Sequence, residues 1–201
     1  MDMPGAVTSP DRCRLCDVLH ATPVAALPAC DEGSRTESLT PASVLFPLIP
    51  RADGFFVLLT QRTDHLRDHP GQISFPGGRV EPEDLSPAHT ALREAREEIG
   101  LAPEHVEVIG YLPDYCTITG YRVTPVVAIV TPPFELTPDV YEVAQVFEVP
   151  LDFLLNPANH QEHAILRDGE PRRFFAMSYG NYFIWGATAG IIMSLHRALT
   201  A

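Results

Sequence analysis

The sequence contains no lysine. All 14 of its basic residues are arginines and they face 26 acidic residues, so the net charge is −12. Nonspecific nucleic-acid binding depends on neutralising phosphates with basic residues, and a chain this acidic argues against it. Arginine can still build a local anion pocket, because its planar guanidinium group suits phosphate geometry. The composition is therefore compatible with the binding of a small phosphate-containing ligand.

Long hydrophobic runs are also missing. The longest apolar stretches, such as residues 123–130, contain a proline or stop well short of the roughly 18 residues of a membrane span. The first residues have neither the basic region nor the apolar region of a secretory signal. We therefore expect no membrane span and a cytoplasmic protein.

Cysteine is scarce, with four residues in 201. Cys13, Cys16 and Cys30, with His20 between them, have a spacing that matches no common zinc finger, and Cys116 is far away. Four scattered cysteines do not indicate a disulfide scaffold either. We expect free thiols.

The chain divides near residue 40. Residues 1–40 are rich in Pro, Ala, Ser and Thr, and they read as an N-terminal extension with a short helix at 11–19 and a partly mobile segment at 21–40. Residues 41–201 are long enough to bury a core and read as one domain. Strands are predicted at 43–49, 55–61, 72–75, 106–112, 122–130, 143–149, 163–166 and 173–178, and helical segments at 151–155 and 186–199. This order suggests a mixed sheet between helices.

A further helix is predicted between two clear end signals. Ser86 is a good N-cap, Pro87 suits the first helical position, and Gly100 stands where a left-handed C-terminal residue is favoured. The apolar positions fall at helical spacing and are Ala88, Leu92, Ala95 and Ile99.

Three glutamates share one face of this helix. Glu94, Glu97 and Glu98 are spaced i, i+3 and i+4, and like charges at that spacing destabilise a helix by about 0.2–0.5 kcal/mol per pair. A divalent cation would offset them, since Mg²⁺ and Mn²⁺ prefer oxygen ligands. The competing interpretation is an exposed, charge-rich surface helix.

Residues 77–101 read GGRVEPEDLSPAHTALREAREEIGL and resemble the Nudix box, G-x5-E-x7-R-E-U-x-E-E-x-G-U, with U an aliphatic residue. Residues 93–101 match the second half position for position. The first half departs, because Leu85 stands where the pattern has glutamate and the distance from Gly78 to Arg93 is one residue longer. We interpret this as a loop insertion, with Asp84 or Glu83 in place of the missing carboxylate.

The preceding segment narrows the resemblance. Residues 58–84 read LLTQRTDHLRDHPGQISFPGGRVEPED and are similar to the coenzyme A pyrophosphatase signature, LLTxRSxxLRxHxGxVxFPGGxxxxxD, with Thr63 for serine and Ile73 for valine. The resemblance implies an α/β/α sandwich with a mixed sheet, a Nudix hydrolase domain over residues 41–201, and a requirement for Mg²⁺ or Mn²⁺.

The resemblance also implies site residues. Metal ligands are expected first at Glu94 and Glu98, then at Glu97 and Asp84, with the backbone of Gly78 close to the ion. The catalytic residues are expected to be Glu97, Glu98 and Arg93, and Arg93 to orient carboxylates. The general base stays open among Glu81, Asp84 and Glu97. Substrate contacts are expected from Arg62, Arg67, His69 and Gln72, although Arg62 could form a surface salt bridge and His69 could cap a turn.

The implied reaction is hydrolysis of coenzyme A or acyl-CoA to 3′,5′-ADP and 4′-phosphopantetheine or its acyl derivative. One alternative keeps the chemistry on NADH, ADP-ribose, a nucleotide sugar or another nucleoside diphosphate derivative. Another is a ligand-binding module without catalysis, which the three retained glutamates argue against. Nudix relatives are often dimers, so a homodimer is also possible.

Overall fold

The structure is a computed structural model that describes residues 10–24, 29–30, 39–167 and 170–201. The segment expected to be partly mobile, residues 21–40, lies largely outside these ranges, and so do residues 168–169 between the strands predicted at 163–166 and 173–178. Helices run over Arg12–Val18 (α1), Pro87–Ile99 (α2), Leu151–Leu155 (α3) and Ala187–Thr200 (α4). Strands run over Ala29–Cys30 (β1), Thr40–Arg51 (β2), Gly54–Arg62 (β3), Ile73–Ser74 (β4), Gly77–Arg79 (β5), Val106–Tyr111 (β6), Tyr115–Cys116 (β7), Tyr121–Val130 (β8), Val143–Pro150 (β9), Gln161–Arg167 (β10), Glu170–Tyr179 (β11) and Tyr182–Trp185 (β12).

The main sheet is mixed. Its strands follow the order β1-β7-β8-β2-β3-β4, with β5 paired to β2, β6 to β8 and β9 to β3. The pairs β2·β8 and β1·β7 are parallel, whereas the other pairs in this sheet are antiparallel. A second, antiparallel sheet contains β10, β11 and β12.

Strand β2 shows why the domain has three layers. Phe46 and Leu48 point to one face of the sheet and Leu45 and Ile49 to the other, and all four are fully buried. Successive side chains of a strand point to opposite faces, so an uninterrupted apolar strand needs cover on both. Helices α1, α3 and α4 cover the first face and α2 covers the second. The predicted α/β/α sandwich is confirmed.

The longer predicted elements are confirmed within a few residues, and the strand predicted at 72–75 is confirmed as the two-residue β4, but other short strands were missed. Strands β5, β7 and β12 have two to four residues, too few for a period-2 pattern to appear. The stripe predicted for α2 is also shifted, because Ala91, Ala95 and Ile99 are fully buried whereas Ala88 and Leu92 are only partly buried. Among the described residues, no helix is long and apolar enough to cross a membrane.

Helix α1 packs onto the core of the domain. Leu15 is fully buried among residues of α3, α4 and the sheet. Asp11 caps the helix by accepting a hydrogen bond from the backbone N of Arg14 at 2.8 Å, and Arg12 forms an ion pair with Glu107 of β6. The described part of the N-terminal extension is therefore integrated into the fold, with Cys13 exposed on its outer face.

We predict that Leu15→Ala destabilises the whole domain. Truncating a fully buried leucine leaves a cavity and lowers the free energy of unfolding by about 2–5 kcal/mol. Thermal and urea unfolding of purified protein would measure the change, with the exposed Cys13→Ala on the same helix as the matched control. An unchanged unfolding midpoint for Leu15→Ala would contradict the packing of α1.

Candidate active site

Two glycines bring backbone close to the glutamates of α2. Strand β5 pairs with β2 so tightly that a Cβ at Gly77 would lie 2.5 Å from the backbone oxygen of Ser43. A Cβ at Gly78 would collide with the carboxylate of Glu94. Position 77 therefore requires glycine, because a Cβ there would push β5 away from the backbone of β2, whereas a Cβ at position 78 would displace the Glu94 carboxylate.

Local capping sets where the glutamate face begins and ends. Ser86 accepts a hydrogen bond from the backbone N of His89 at 3.1 Å, and Pro87 occupies the first helical position. Gly100 ends the helix in the left-handed region at φ 69°, and its N–H donates to the carbonyl of Arg96 at 3.0 Å. These signals were predicted from the sequence and are confirmed.

Arg93 links the carboxylates of the loop to those of the helix. Its Nη1 donates to Glu94 Oε1 at 2.9 Å and to Glu97 Oε2 at 3.0 Å, while Nε and Nη2 donate to the two oxygens of Asp84 at 3.1 and 2.9 Å. Nη2 also donates to the backbone oxygen of Arg79 at 3.1 Å. The guanidinium group thus offsets part of the like-charge repulsion on α2 and ties the helix to the end of β5.

Asp84 is the buried anchor of the loop. Its side chain is 1% exposed and accepts hydrogen bonds from the backbone N of Glu81 and from Thr90 Oγ1, both at 2.9 Å. Its pKa lies well below the ordinary value, mainly because Arg93 donates to it. The neighbouring Leu85, at the position where the box pattern has glutamate, is 92% exposed.

Glu98 is the buried carboxyl of the helix. It is 6% exposed, and its Oε2 accepts one hydrogen bond from the backbone N of Gly77 at 3.1 Å. Burial raises its pKa to about 8, and the negative charges of Glu94 and Glu142 act in the same direction, against the Gly77 hydrogen bond and Arg62. Burial also raises the pKa of Glu94. Additional positive charge near this pair would be strongly favoured.

Glu142 completes this carboxylate group and was missed from the sequence. It precedes β9, where the pairing with β3 is irregular and Val143 lies opposite Arg62. Its backbone oxygen accepts from Thr63 N at 3.0 Å, and its charge acts on both Glu94 and Glu98. No motif surrounds it in the sequence, so its proximity arises only from strand pairing.

A cavity of about 450 Å³ opens beside this group and brings several predicted residues together. Arg62, His69, Gln72 and Gly78 line it, whereas Arg67 is exposed and lies outside its lining. The Nε of Arg62 is buried and has no hydrogen-bond partner among the described residues. The other lining residues include Ser74, Phe75, Gly77, Arg79, Thr117, Thr119, Tyr121 and Trp185.

Comparison with known proteins identifies the family. The NUDIX domain model matches residues 39–168. The chain belongs to the Nudix family. It is 46% identical over 154 residues to the uncharacterized Nudix hydrolase NudL of Escherichia coli K12, covering 77% of this chain and 80% of the relative. The NudL of Citrobacter koseri is 47% identical with the same coverage.

The solved structures agree on the fold. A MutT/nudix family protein from Enterococcus faecalis superposes with a TM-score of 0.50 at 18% identity, over 83% of this chain and 64% of that one. This likeness concerns the Nudix fold alone. The family match and the NudL relatives make the protein a Nudix hydrolase, an enzyme that acts on pyrophosphate bonds.

Nudix hydrolases generally need divalent metal ions, and the donor chemistry here fits one. Glu94 and Glu98 offer carboxylate oxygens whose pKa values are raised by burial, and the negative charge of Glu142 acts on both of them. Among the described residues, no three acidic, histidine or cysteine side chains are already arranged to hold a metal. Arg93 engages the Glu94 carboxylate in this arrangement.

We predict that Arg93→Ala destabilises the domain through Asp84. The substitution removes two charge-assisted hydrogen bonds to the Asp84 carboxylate, and the loss of a hydrogen bond to a charged group typically lowers the free energy of unfolding by about 1.5–3 kcal/mol. Asp84→Asn combined with Arg93→Ala should recover part of the loss, because no uncompensated charge remains. Urea unfolding of the two single variants and the double variant would measure the coupling, and strictly additive losses would contradict it.

We also predict that Glu98 makes the metal-free protein less stable in alkali. Its pKa in the folded state, near 8, is above the ordinary 4.5, so its contribution is fully present below the ordinary value and is lost as pH rises through 8. Metal-free wild type should therefore melt at a lower temperature at about pH 9 than at about pH 6, and Glu98→Gln should show a smaller decrease.

Mg²⁺ provides the second half of this test. Binding requires the deprotonated carboxylate, so Mg²⁺ should bind more tightly at higher pH and release protons below about pH 8. Calorimetry in buffers of different ionisation enthalpy measures that release. Glu97→Gln is the matched control for the melting experiment, because Glu97 is 60% exposed. Equal pH dependence in wild type and Glu98→Gln would contradict the assignment.

Proposed function

We propose that this Nudix hydrolase cleaves the pyrophosphate bond of coenzyme A or acyl-CoA with Mg²⁺ or Mn²⁺. The products would be 3′,5′-ADP and 4′-phosphopantetheine or its acyl derivative. The observation that carries the proposal is one cavity that contains residues from both motifs. Arg62, His69 and Gln72 come from the segment that resembles the coenzyme A pyrophosphatase signature, and Gly77 and Gly78 begin the Nudix box.

The charges of the cavity suit a pyrophosphate at this place. Arg62 has a buried Nε without a partner among the described residues, and its positive charge acts on Glu98. Arg62 lines the cavity, and guanidinium groups bind phosphates through paired hydrogen bonds. The cavity of about 450 Å³ is within the range of small-molecule sites.

The proposed reaction transfers a phosphoryl group to water. A water oxygen attacks one phosphorus atom, the bridging P–O bond breaks, and the bridging oxygen leaves with the other phosphate. A bound divalent ion supplies charge neutralisation on the phosphates and lowers the pKa of the attacking water. Glu94 and Glu98 would hold that ion, and Glu97 is the candidate to take the water proton because its side chain is 60% exposed and therefore accessible to water. Arg93 would orient Glu94 and Glu97, which it contacts directly.

A product assay tests the proposal. Purified protein with Mg²⁺ or Mn²⁺ would be given CoA, acetyl-CoA, dephospho-CoA, NADH, ADP-ribose and nucleoside triphosphates, and the products identified by mass. We expect release of 3′,5′-ADP from CoA as the fastest reaction. Hydrolysis of NADH or ADP-ribose without hydrolysis of CoA would support a Nudix hydrolase and reject CoA as the substrate. No hydrolysis of any compound in the panel would favour a binding module.

Glu98→Gln is the matched variant for this assay. It keeps the size of the side chain and an oxygen to accept from Gly77, but it removes the charge that would hold the ion. We expect kcat/KM to fall by about two to three orders of magnitude or more, as for the loss of a central electrostatic group. Activity close to wild type in a folded Glu98→Gln protein would contradict the metal assignment.

A further inference from the structure

Arg79 is an ordered cation at the edge of the cavity. Its Nε donates to the hydroxyl oxygen of Tyr121 at 3.0 Å, Nη2 donates to the same oxygen, and the guanidinium carbon lies 5.4 Å from the centre of the Tyr121 ring. Its backbone oxygen accepts a hydrogen bond from Arg93. The Arg79 side chain is exposed and lines the cavity, so its positive charge is accessible to a ligand bound there.

This charge is not neutralised by a carboxylate within the described part of the chain. Tyr121 is a neutral partner, and holding a guanidinium group by a phenol and its ring leaves the full charge in place. Five other arginines form ion pairs with carboxylates, namely Arg12, Arg51, Arg93, Arg122 and Arg173. Of the described arginines that form no ion pair, Arg62 and Arg79 line the cavity. In a chain with a net charge of −12, an ordered and unneutralised arginine in a cavity indicates an anionic ligand.

The sheet places Arg79 away from the other cationic edge of the cavity. Tyr121 lies on β8 and Arg62 on β3, and β2 runs between these two strands. Two interstrand spacings separate β8 from β3, which is about 10 Å. The positive charge of Arg62 acts on Glu98, so the pyrophosphate of the proposed reaction belongs near Arg62.

We propose that Arg79, positioned by Tyr121, binds a second phosphate of the substrate and selects nucleotides that carry a 3′-phosphate. The inference rests on the proposed function, since it names the residue of the same cavity that recognises the 3′-phosphate. This phosphate distinguishes CoA from dephospho-CoA. Arg79 would contact the 3′-phosphate directly. Tyr121 would act through Arg79, as a positioning residue.

Substrate selectivity in single variants tests the role of Arg79. Arg79→Ala should raise KM for CoA by about ten- to a hundredfold, the worth of a charge-assisted hydrogen bond, and leave kcat and the KM for dephospho-CoA near wild type. Tyr121→Phe keeps the ring and loses the acceptor, so a smaller increase in KM for CoA alone is expected. Arg79→Lys should recover part of the affinity because it restores the charge.

Arg51→Ala is the matched control. It removes the same charge from the hairpin between β2 and β3, where Arg51 pairs with Glu148, and it does not line the cavity. Its kinetic constants should equal those of wild type for both substrates. An equal increase in KM for CoA and for dephospho-CoA in Arg79→Ala would overturn the inference. Arg79 would then bind the pyrophosphate or stabilise the loop, and not the 3′-phosphate.

Equilibrium binding separates this inference from the proposed function. Calorimetry with 3′,5′-ADP and with AMP needs no turnover, and wild type should bind 3′,5′-ADP more tightly, with Arg79→Ala abolishing the difference. If wild type does not cleave CoA, the proposed function fails whatever Arg79 does. If wild type cleaves CoA but both nucleotides bind equally to wild type and Arg79→Ala, only the role of Arg79 fails.

Discussion

The contact between the glutamate face of α2 and the backbone of β5 is the constraint on which the site depends. Glu94 lies against Gly78, and Glu98 accepts a hydrogen bond from Gly77. This approach buries carboxylates that repel one another, so the fold must hold the helix against the strand by other means. Arg93 does this by joining the loop, the helix and the end of β5 in one hydrogen-bonded group.

The carboxylates divide into two kinds with different consequences. Asp84 is buried and already paired, and its lowered pKa means that its charge is satisfied by Arg93 without a metal. Glu98 is buried and poorly compensated, and its raised pKa means that its charge needs a further cation. The fold thus uses one acidic residue to anchor the loop that carries the box and leaves others available for an ion. The exposed Leu85 at the usual glutamate position agrees with this division, since the neighbouring residue takes the buried place.

The cavity extends this arrangement across three neighbouring strands. Arg62 on β3, the two glycines of β5 and Tyr121 on β8 share one opening, with β2 beneath them. A ligand in it would meet the guanidinium groups of Arg62 and Arg79, and the two glycines that line it contact Glu98 and Glu94. An acidic chain can bind a polyanionic substrate in this way, because neither arginine that lines the opening forms an ion pair with a carboxylate among the described residues.

The sequence by itself determined the features that depend on neighbouring residues. Ser86 and Gly100 mark the ends of α2, and the spacing of its glutamates places them on one face, because a helix is specified by residues within a few positions. Only the tertiary structure decided which side chains meet across the sheet. Strand register and helix packing pair Arg93 with Asp84 and bring the charge of Glu142 close to Glu98. They also leave Arg67 outside the lining of the cavity and position Arg79 by Tyr121. Those contacts join residues far apart in the chain, and no local pattern encodes them.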